Sequence, residues 1–421
     1  MTIKKLIKGG IVIIAGTLIG SVANYAYNTL TGRFLGPENY GIFTSLMSLL
    51  AIVSVPMMAI QTVSAKFSSK FLAENRLGKV RALVSSLHRR LWPIGVAAAL
   101  MIMILSGFVG RYLHIPSLVP IFILAIIFIV AFLVPITRGV IQGMQKFFQL
   151  SFNTSLDALF RLGIGMALIA LGFKVNGAVG GVVAGTVLAY LFSFLPIRNI
   201  LKHSSEPFDK KKIMEYSWPT VVVILCLTAL VNADIIMAKH YLPPVEAGHY
   251  AALSTIAKII FYFSGPIVSV MFPMISDLYS KGERHYHLLI TTLIGVFGAS
   301  MAILVFFTLA PQFTIKMLYG QQFISVWHFL PSMGLVMVLY GLVNVMANYF
   351  LSINKMKFVP FLVFFTVLEV ILLSFFNSSI SVFIIISMLS QIVLLITLFS
   401  LYLIDKWSMI SEKLHLAKEE E

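Results

Sequence analysis

The sequence predicts an all-α integral membrane protein of twelve transmembrane helices, arranged as two parallel six-helix repeats. Three observations predict it. The first is composition: 59% of the 421 residues are hydrophobic, 11% are charged, and the mean hydropathy is +0.95. Soluble domains run at about 45–50% apolar and about 25% charged, so these charges are too few to cover a soluble surface of this size. The second is a series of long, nearly charge-free runs rich in Leu, Ile, Val and Phe. Barrel strands would instead give short segments of alternating polarity. The third is an internal repeat whose period is half the chain.

A bilayer core of about 30 Å takes about 20 apolar residues per helix. The first six spans fall near 8–32, 39–65, 88–110, 117–138, 149–172 and 176–201. The second six fall near 214–240, 246–275, 286–311, 328–352, 357–377 and 380–404. This divides the chain into an N-terminal lobe (1–200), a cytoplasmic linker (201–213), a C-terminal lobe (214–404) and a cytoplasmic tail (405–421). Loop 66–90 reads as an amphipathic cytoplasmic helix, because Phe71, Leu72, Leu77, Val80 and Leu83 are interleaved with its charges. Lys4, Lys5 and Lys8, the apolar run after them and Ser21-Val22-Ala23 loosely fit a signal peptide. The same segment belongs to the repeat, so it is read as the first span.

Lys and Arg set the orientation of a multi-pass protein. With the N-terminus in the cytoplasm, 24 of the 31 basic residues lie on the cytoplasmic side. Five lie outside (Arg33, Arg111, Lys174, Lys239 and Lys316), and two, Arg161 and Lys258, lie within spans. Both termini are therefore cytoplasmic, and topology with anionic headgroups accounts for most of the net charge of +15 without nucleic acid. The single cysteine, Cys226, forms no intrachain disulfide.

The repeat is carried by short matches. Leu35-Gly36-Pro37-Glu38-Asn39-Tyr40-Gly41-Ile42-Phe43 aligns with Leu242-Pro243-Pro244-Val245-Glu246-Ala247-Gly248-His249-Tyr250 at an offset of 207. Pro56 aligns with Pro266, and Gln145-Lys146-Phe147 with Met356-Lys357-Phe358, at offsets of 210 and 211. Six spans per copy put both copies in the same orientation. In secondary transporters built this way the site lies at the repeat interface near the bilayer midplane.

No G-x-x-x-x-G-K-[ST] loop is present, so the chain carries no ATPase signature. The nine histidines are scattered and form no metal-ligand spacing with Cys or carboxylates. No catalytic triad or acidic glycosyltransferase-like motif sits in a sizeable extramembrane domain. The expectation is a carrier and not an enzyme, with no cofactor or bound metal, and with Na+ or H+ as the candidate coupling ion.

Gly32-Arg33-Phe34-Leu35-Gly36-Pro37-Glu38-Asn39-Tyr40-Gly41 resembles the first helix-to-helix turn of the polysaccharide and oligosaccharide flippases. These belong to the multidrug/oligosaccharidyl-lipid/polysaccharide (MOP) exporter superfamily. Asn232-Ala233-Asp234 through Gly248-His249-Tyr250-Ala251 is similar to the matching turn of their second lobe. Phe272-Pro273-Met274-Ile275-Ser276 resembles the close of their eighth helix, and Asn176-Gly177-Ala178-Val179-Gly180-Gly181 with Gly185 their Gly-rich sixth. The resemblance implies V-shaped lobes like those of MATE transporters around a central cavity. It implies transfer of an undecaprenyl-diphosphate-linked oligosaccharide from the inner to the outer leaflet of a bacterial cytoplasmic membrane. The implied partners are that lipid-linked oligosaccharide, membrane lipids, and a polysaccharide polymerase with glycosyltransferases. The alternatives are a MATE-type drug or metabolite antiporter and, weakly supported by Leu72-Ala73-Glu74-Asn75-Arg76-Leu77-Gly78-Lys79, a major facilitator permease.

Ionisable groups inside spans cost roughly 2.5–3.5 kcal/mol each at the centre and persist where they pair or face water. Lys258 is a candidate cavity cation for the diphosphate, or a structural partner of another helix. Asp157 and Arg161 share one helix face at i,i+4, either as a self-neutralising pair or as one in which phosphate competes for the guanidinium. Lys66 and Arg138, at cytoplasmic span ends, line an inward mouth or anchor to headgroups. Arg33, His240 and Lys239 are candidates to receive the diphosphate outside. Asp234 and Glu369 are the embedded acids of the second lobe and candidates for ion coupling, with Asn232, Asn377, Ser390 and Gln391 as nearby oxygen ligands. The resemblance places a cation site in this lobe in related exporters. A salt bridge from Asp234 to Lys258 is the competing structural reading. Pro56 and Pro266 are candidate bending points, and Gly181 with Gly185 a close-packing face.

Overall fold

Backbone polar groups in lipid must be satisfied within the chain, and a helix does so along its whole length. The computed structural model describes residues 3–207, 218–281, 283 and 285–419, with side chains over 19–207 and 221–406 except 263, 269, 273, 280, 282 and 284. Among the described residues every long element is a helix and no strand occurs. Lys210, Lys211 and Lys212 of the expected linker lie outside the described residues. The chain divides into two compact units, Met1–Val221 and Val222–Glu421.

Eight helices are long and apolar enough to cross a membrane, or up to ten when each of two bent pairs is taken as one span. The protein is a multi-pass membrane protein, but this count does not establish twelve separate spans. The reason lies in two expected turns that leave no gap between helices. One is at Gly36, inside the continuous stretch Ile3–Val53; the other is at Gly172, inside Phe147–Ile197.

In the first unit, α1 (Ile3–Val53) is interrupted only at Gly36, whose φ of 74° and ψ of 170° suit glycine and disfavour any side chain. Pro37 then pre-sets φ for the helical run that follows. A 45° bend separates this run from α2 (Val55–Ala73), and Pro56 sits in the first turn of α2. A tight turn with Asn75 at φ 57° leads into α3 (Leu77–Tyr112). Loop 66–90 is thus not a separate amphipathic helix. It is the end of α2 and the start of α3, and Phe71, Val80, Leu83 and Val84 there form a core with Val140, Ile141, Ile197 and Ile200. The remaining helices are α4 (Val119–Ala131), α5 (Val134–Gly143), α6 (Phe147–Leu168) and α7 (Lys174–Phe192). α6 packs against α1 and α7, and α2 against α5.

The second unit contains α8 (Trp218–Leu230) from Val222 onward, α9 (Ala233–Tyr241) and α10 (Pro244–Ser280). Next come α11 (Tyr286–Leu309), α12 (Pro311–Tyr319), α13 (Leu330–Ser352), α14 (Val359–Phe375) and α15 (Ile380–Glu419). α8 and α9 form the second bent pair, at 41°. α10 runs on through Pro266 without a break, unlike the chain at Pro56. α13 lies at the centre of the unit, against α10, α11 and α15.

Candidate functional site

Each unit buries one cluster of charged side chains. In the first unit the cluster is built on α5, α6 and α7. Asp157 on α6 is buried, and its carboxylate accepts from two arginines at once. Arg161 donates from Nε to Oδ1 at 2.7 Å and from Nη2 to Oδ2 at 3.1 Å, the two-pronged geometry that i,i+4 spacing permits. Arg138 on α5 donates from Nη2 to Oδ2 at 3.0 Å and from Nε to Asn153 Oδ1 at 2.9 Å. Arg161 Nη2 also donates to Thr186 Oγ1 on α7, at 3.2 Å. Asn153 is held in turn by donating to the carbonyl of Ala189 at 2.7 Å.

Two guanidiniums share one carboxylate, so the cluster carries one unbalanced positive charge. Its members are not equally covered: side-chain exposure is 7% for Asp157, 16% for Arg138 and 27% for Arg161. The arginines therefore present partly open faces while the acid stays behind them. Glycines bring the helices close enough for this. A side chain at Gly185 would meet Arg161 Cγ at 2.6 Å and the Asp157 carbonyl at 2.9 Å, and Gly181 lies directly on Gly165. Gly165 in turn receives the ring of Tyr27, whose hydroxyl donates to the carbonyl of Ala178.

The second unit buries a pair of acids, with Lys258 nearby. Asp234, in the first turn of α9, is 4% exposed, and its Oδ2 accepts from the hydroxyl of Tyr250 on α10 at 2.8 Å. Its Oδ1 makes no hydrogen bond within ordinary limits, although the first-turn N–H groups of Asp234 and Ile235 lie near it. Glu369 on α14 is 3% exposed and close enough to Asp234 and Tyr250 to interact with both electrostatically. Glu369 Oε2 and Gln391 Oε1 are buried without a hydrogen bond of ordinary geometry among the described residues, and the buried hydroxyls of Ser387 and Ser390 on α15 lie beside the Glu369 carboxylate, close enough to interact with it. These buried oxygens are hard donors, of the chemistry that fits Na+ or a shared proton. Among the described residues no group of three His, Cys, Asp or Glu forms a metal centre.

Lys258 does not form the direct salt bridge to Asp234. Its Nζ donates to Asn232 Oδ1 at 3.3 Å, and Asn232 Nδ2 donates to the carbonyl of Thr228 at 2.8 Å. The oxygen of Asn232 is thus turned to the ammonium, while the Lys258 charge still acts electrostatically on Asp234. Asn377 donates to the Ser374 carbonyl at the end of α14. Lys239 is buried at 2% exposure in α9, and the neighbouring His240 packs on Tyr241. Arg33 and Lys66 are exposed.

Tyr27, Asn153, Thr186, Tyr250 and Ser387 escaped the reading of the sequence. The repeat offset of 207 carries a signal for two of them. Tyr27 and Phe43 of the first copy correspond to Asp234 and Tyr250 of the second. Both pairs are in contact: Tyr27 and Phe43 edge to face with ring centroids 5.9 Å apart, Asp234 and Tyr250 by a hydrogen bond.

Residues 6–279 match the sequence profile of a family described as polysaccharide biosynthesis protein. An uncharacterized membrane protein of Methanocaldococcus jannaschii is 24% identical over 295 residues, which cover 64% of this chain and 68% of that protein. The probable low-salt glycan biosynthesis flippase Agl15 of Haloferax volcanii is 22% identical over 283 residues, 66% of this chain. The chain spans 57% of the length of that second relative. Among solved structures, an inward-facing multidrug resistance MATE family transporter of the MOP superfamily superposes with a TM-score of 0.74 at 12% identity, over 93% of this chain and 97% of that one. The lipid II flippase MurJ in an inward closed conformation gives 0.74 at 13% identity, over 93% and 87%. At these identities the likeness is one of fold.

Proposed function

The chain belongs to the polysaccharide biosynthesis protein family, and from that premise we propose that it carries a lipid-linked oligosaccharide from the inner to the outer leaflet by alternating access. The observation that carries this reading is the Arg138–Asp157–Arg161 cluster, with its one unbalanced charge and its partly open guanidiniums. A planar guanidinium fork matches a phosphate in the same way as it matches a carboxylate. The diphosphate of a polyprenyl carrier would compete with Asp157 for these forks, the sugars would occupy hydrated space, and the prenyl tail would stay in lipid. Lys258 is a second candidate contact on the same chemistry; Lys66, Arg33 and Lys239 are candidates at the two mouths.

Twelve crossings belong to this reading. Dividing Ile3–Val53 at Gly36 and Phe147–Ile197 at Gly172, and taking each bent pair as one crossing, supports that number. The excess of Lys and Arg then supports cytoplasmic termini in a cell membrane. In the second unit Asp234 and Glu369, with Ser387, Ser390 and Gln391, would hold a coupling Na+ or proton. Such an ion would supply a charge that neutralises the buried acids.

The test is a proteoliposome assay with a fluorescent polyprenyl-diphosphate-linked oligosaccharide and a membrane-impermeant quencher. The wild type should bring inner-leaflet label within reach of the quencher. R138Q/R161Q should slow this by at least about tenfold, the loss of one charge-assisted contact. No movement by the wild type would overturn the flippase reading. Full activity in the variant would remove the arginines from headgroup binding.

The acid pair of the second unit favours one other reading, a cation-coupled drug or metabolite antiporter of MATE type. Export of a cationic dye by the same proteoliposomes, without movement of the glycolipid, would select it.

A further inference from the structure

Beyond the two buried clusters, the basic end of α3 carries a cavity that neither of them uses. It has a volume of about 660 Å³ and is lined by Ser85, Ser86, Arg89 and Arg90 of α3 and by Ser205 and Glu206 of the segment that follows α7. Arg89 and Arg90 form no ion pair among the described residues. The single acid of the lining does not answer them. Glu206 packs its carboxylate on Gly78, in the first turn of α3, where the helix N-terminus favours negative charge.

The cavity wall is a fixed part of the molecule. Arg81 donates to the carbonyls of Leu201 and His203, the latter at 2.6 Å, and the Glu206 N–H donates to the Gly78 carbonyl at 3.2 Å. These bonds hold residues 201–206 against α3. The cavity also sits at a boundary. Immediately after Arg90 come Trp92 and Ile94, 52% and 49% exposed, with which the apolar surface of α3 begins. An aromatic at that point is typical of the headgroup level of a bilayer.

We infer that this cavity binds the phosphate headgroup of an anionic phospholipid from the leaflet at the basic end of α3. Arg89 and Arg90 supply the charge, and Ser86 and Ser205 supply hydroxyl donors to the phosphate and glycerol oxygens, while Ser85, whose hydroxyl donates to the Arg81 carbonyl, lines the cavity. The acyl chains lie along the apolar surface that starts at Trp92. Because Ser205 and Glu206 form one wall, a bound lipid bridges α3 and the chain that leaves the first unit. The inference is independent of what the protein transports.

The test uses the full chain in a neutral detergent, titrated with phosphatidylglycerol, with retained lipid counted by native mass spectrometry. The wild type should retain phosphatidylglycerol in preference to phosphatidylcholine. R89Q/R90Q should weaken that retention by roughly tenfold or more, as expected for loss of charge-assisted hydrogen bonds. Ser205→Trp, which fills the cavity and keeps both arginines, should do the same. R76Q/K79Q, which removes equal charge from the same end of α3, should change little. Equal loss in R76Q/K79Q would overturn the site in favour of diffuse attraction. Displacement of the lipid by glycerol 3-phosphate at matching concentration would overturn the lipid as its occupant in favour of a free anion. Unchanged retention in Ser205→Trp would overturn the cavity itself, whatever the fate of the double arginine variant.

Discussion

Asp157 is the residue on which the first cluster depends, because it alone supplies negative charge to two partly buried guanidiniums. Removing one member of a buried ionic group is costly, about 3–5 kcal/mol, while replacing the whole group by apolar side chains is often neutral. Asp157→Leu should therefore lower the thermal midpoint of the purified protein sharply. R138M/D157L/R161M should recover most of that loss and still fail to move glycolipid. Recovery of both stability and transport would show the cluster to be structural only. The Asp157–Arg161 half of the cluster was legible in the sequence, because four residues of helix bring two side chains onto one face. Arg138 was not placed there, since its contact depends on how α5 crosses α6, and no spacing along the chain encodes that angle. Tyr250 was hidden from Asp234 for the same reason, sixteen residues away on another helix.

At the scale of elements, small residues decide which helices approach. Gly181 and Gly185 on α7 are spaced four apart, a pattern read from the sequence as a packing face. They lie against Gly165 and against the backbone of Asp157 and Arg161. Gly185→Leu would force a side chain into that backbone, where overpacking costs typically about 1–3 kcal/mol. The expected outcome is a lower melting temperature with reduced transport, while Gly163→Ala, which meets open space on the facing helix α6, should be silent in both. An equal effect of the two variants would contradict the close approach. The same four-residue spacing occurs at Gly139 and Gly143, which rest on the backbone of α2 at Gln61 and Ala65. That seam carried as clear a signal and was not singled out. The start of α3 was legible as amphipathic but not as continuous with the span, because a helix leaving the membrane keeps the same period as one inside it.

Across the whole molecule, the two units differ in how their buried charges are arranged. The first pairs two arginines directly with one acid; the second holds two acids close to each other and to buried oxygens, with Lys258 acting on them without a direct ion pair. If Na+ occupies the acid pair, it binds only the folded protein and stabilises it by about 2.7 kcal/mol at a hundredfold excess over its dissociation constant. Amide exchange should then slow on replacing choline with Na+ in α9, α10, α14 and α15, and stay unchanged in α6 and α7. Asp234→Asn should erase the difference. Protection spread evenly over both units would refute a site confined to one. The duplication behind this contrast was readable at the level of turns and prolines, whereas the burial of each charge depends on packing between helices far apart in sequence. Tyr27 with Phe43, and Asp234 with Tyr250, occupy matching places in the two copies. Gene duplication leaves one descendant of each position free to change while its twin keeps the fold. At this pair the earlier position meets its partner ring to ring and the later one by a carboxylate–hydroxyl hydrogen bond. A substitution at Asp234 therefore has no carboxylate counterpart to disturb at Tyr27, and selection can adjust the two halves separately.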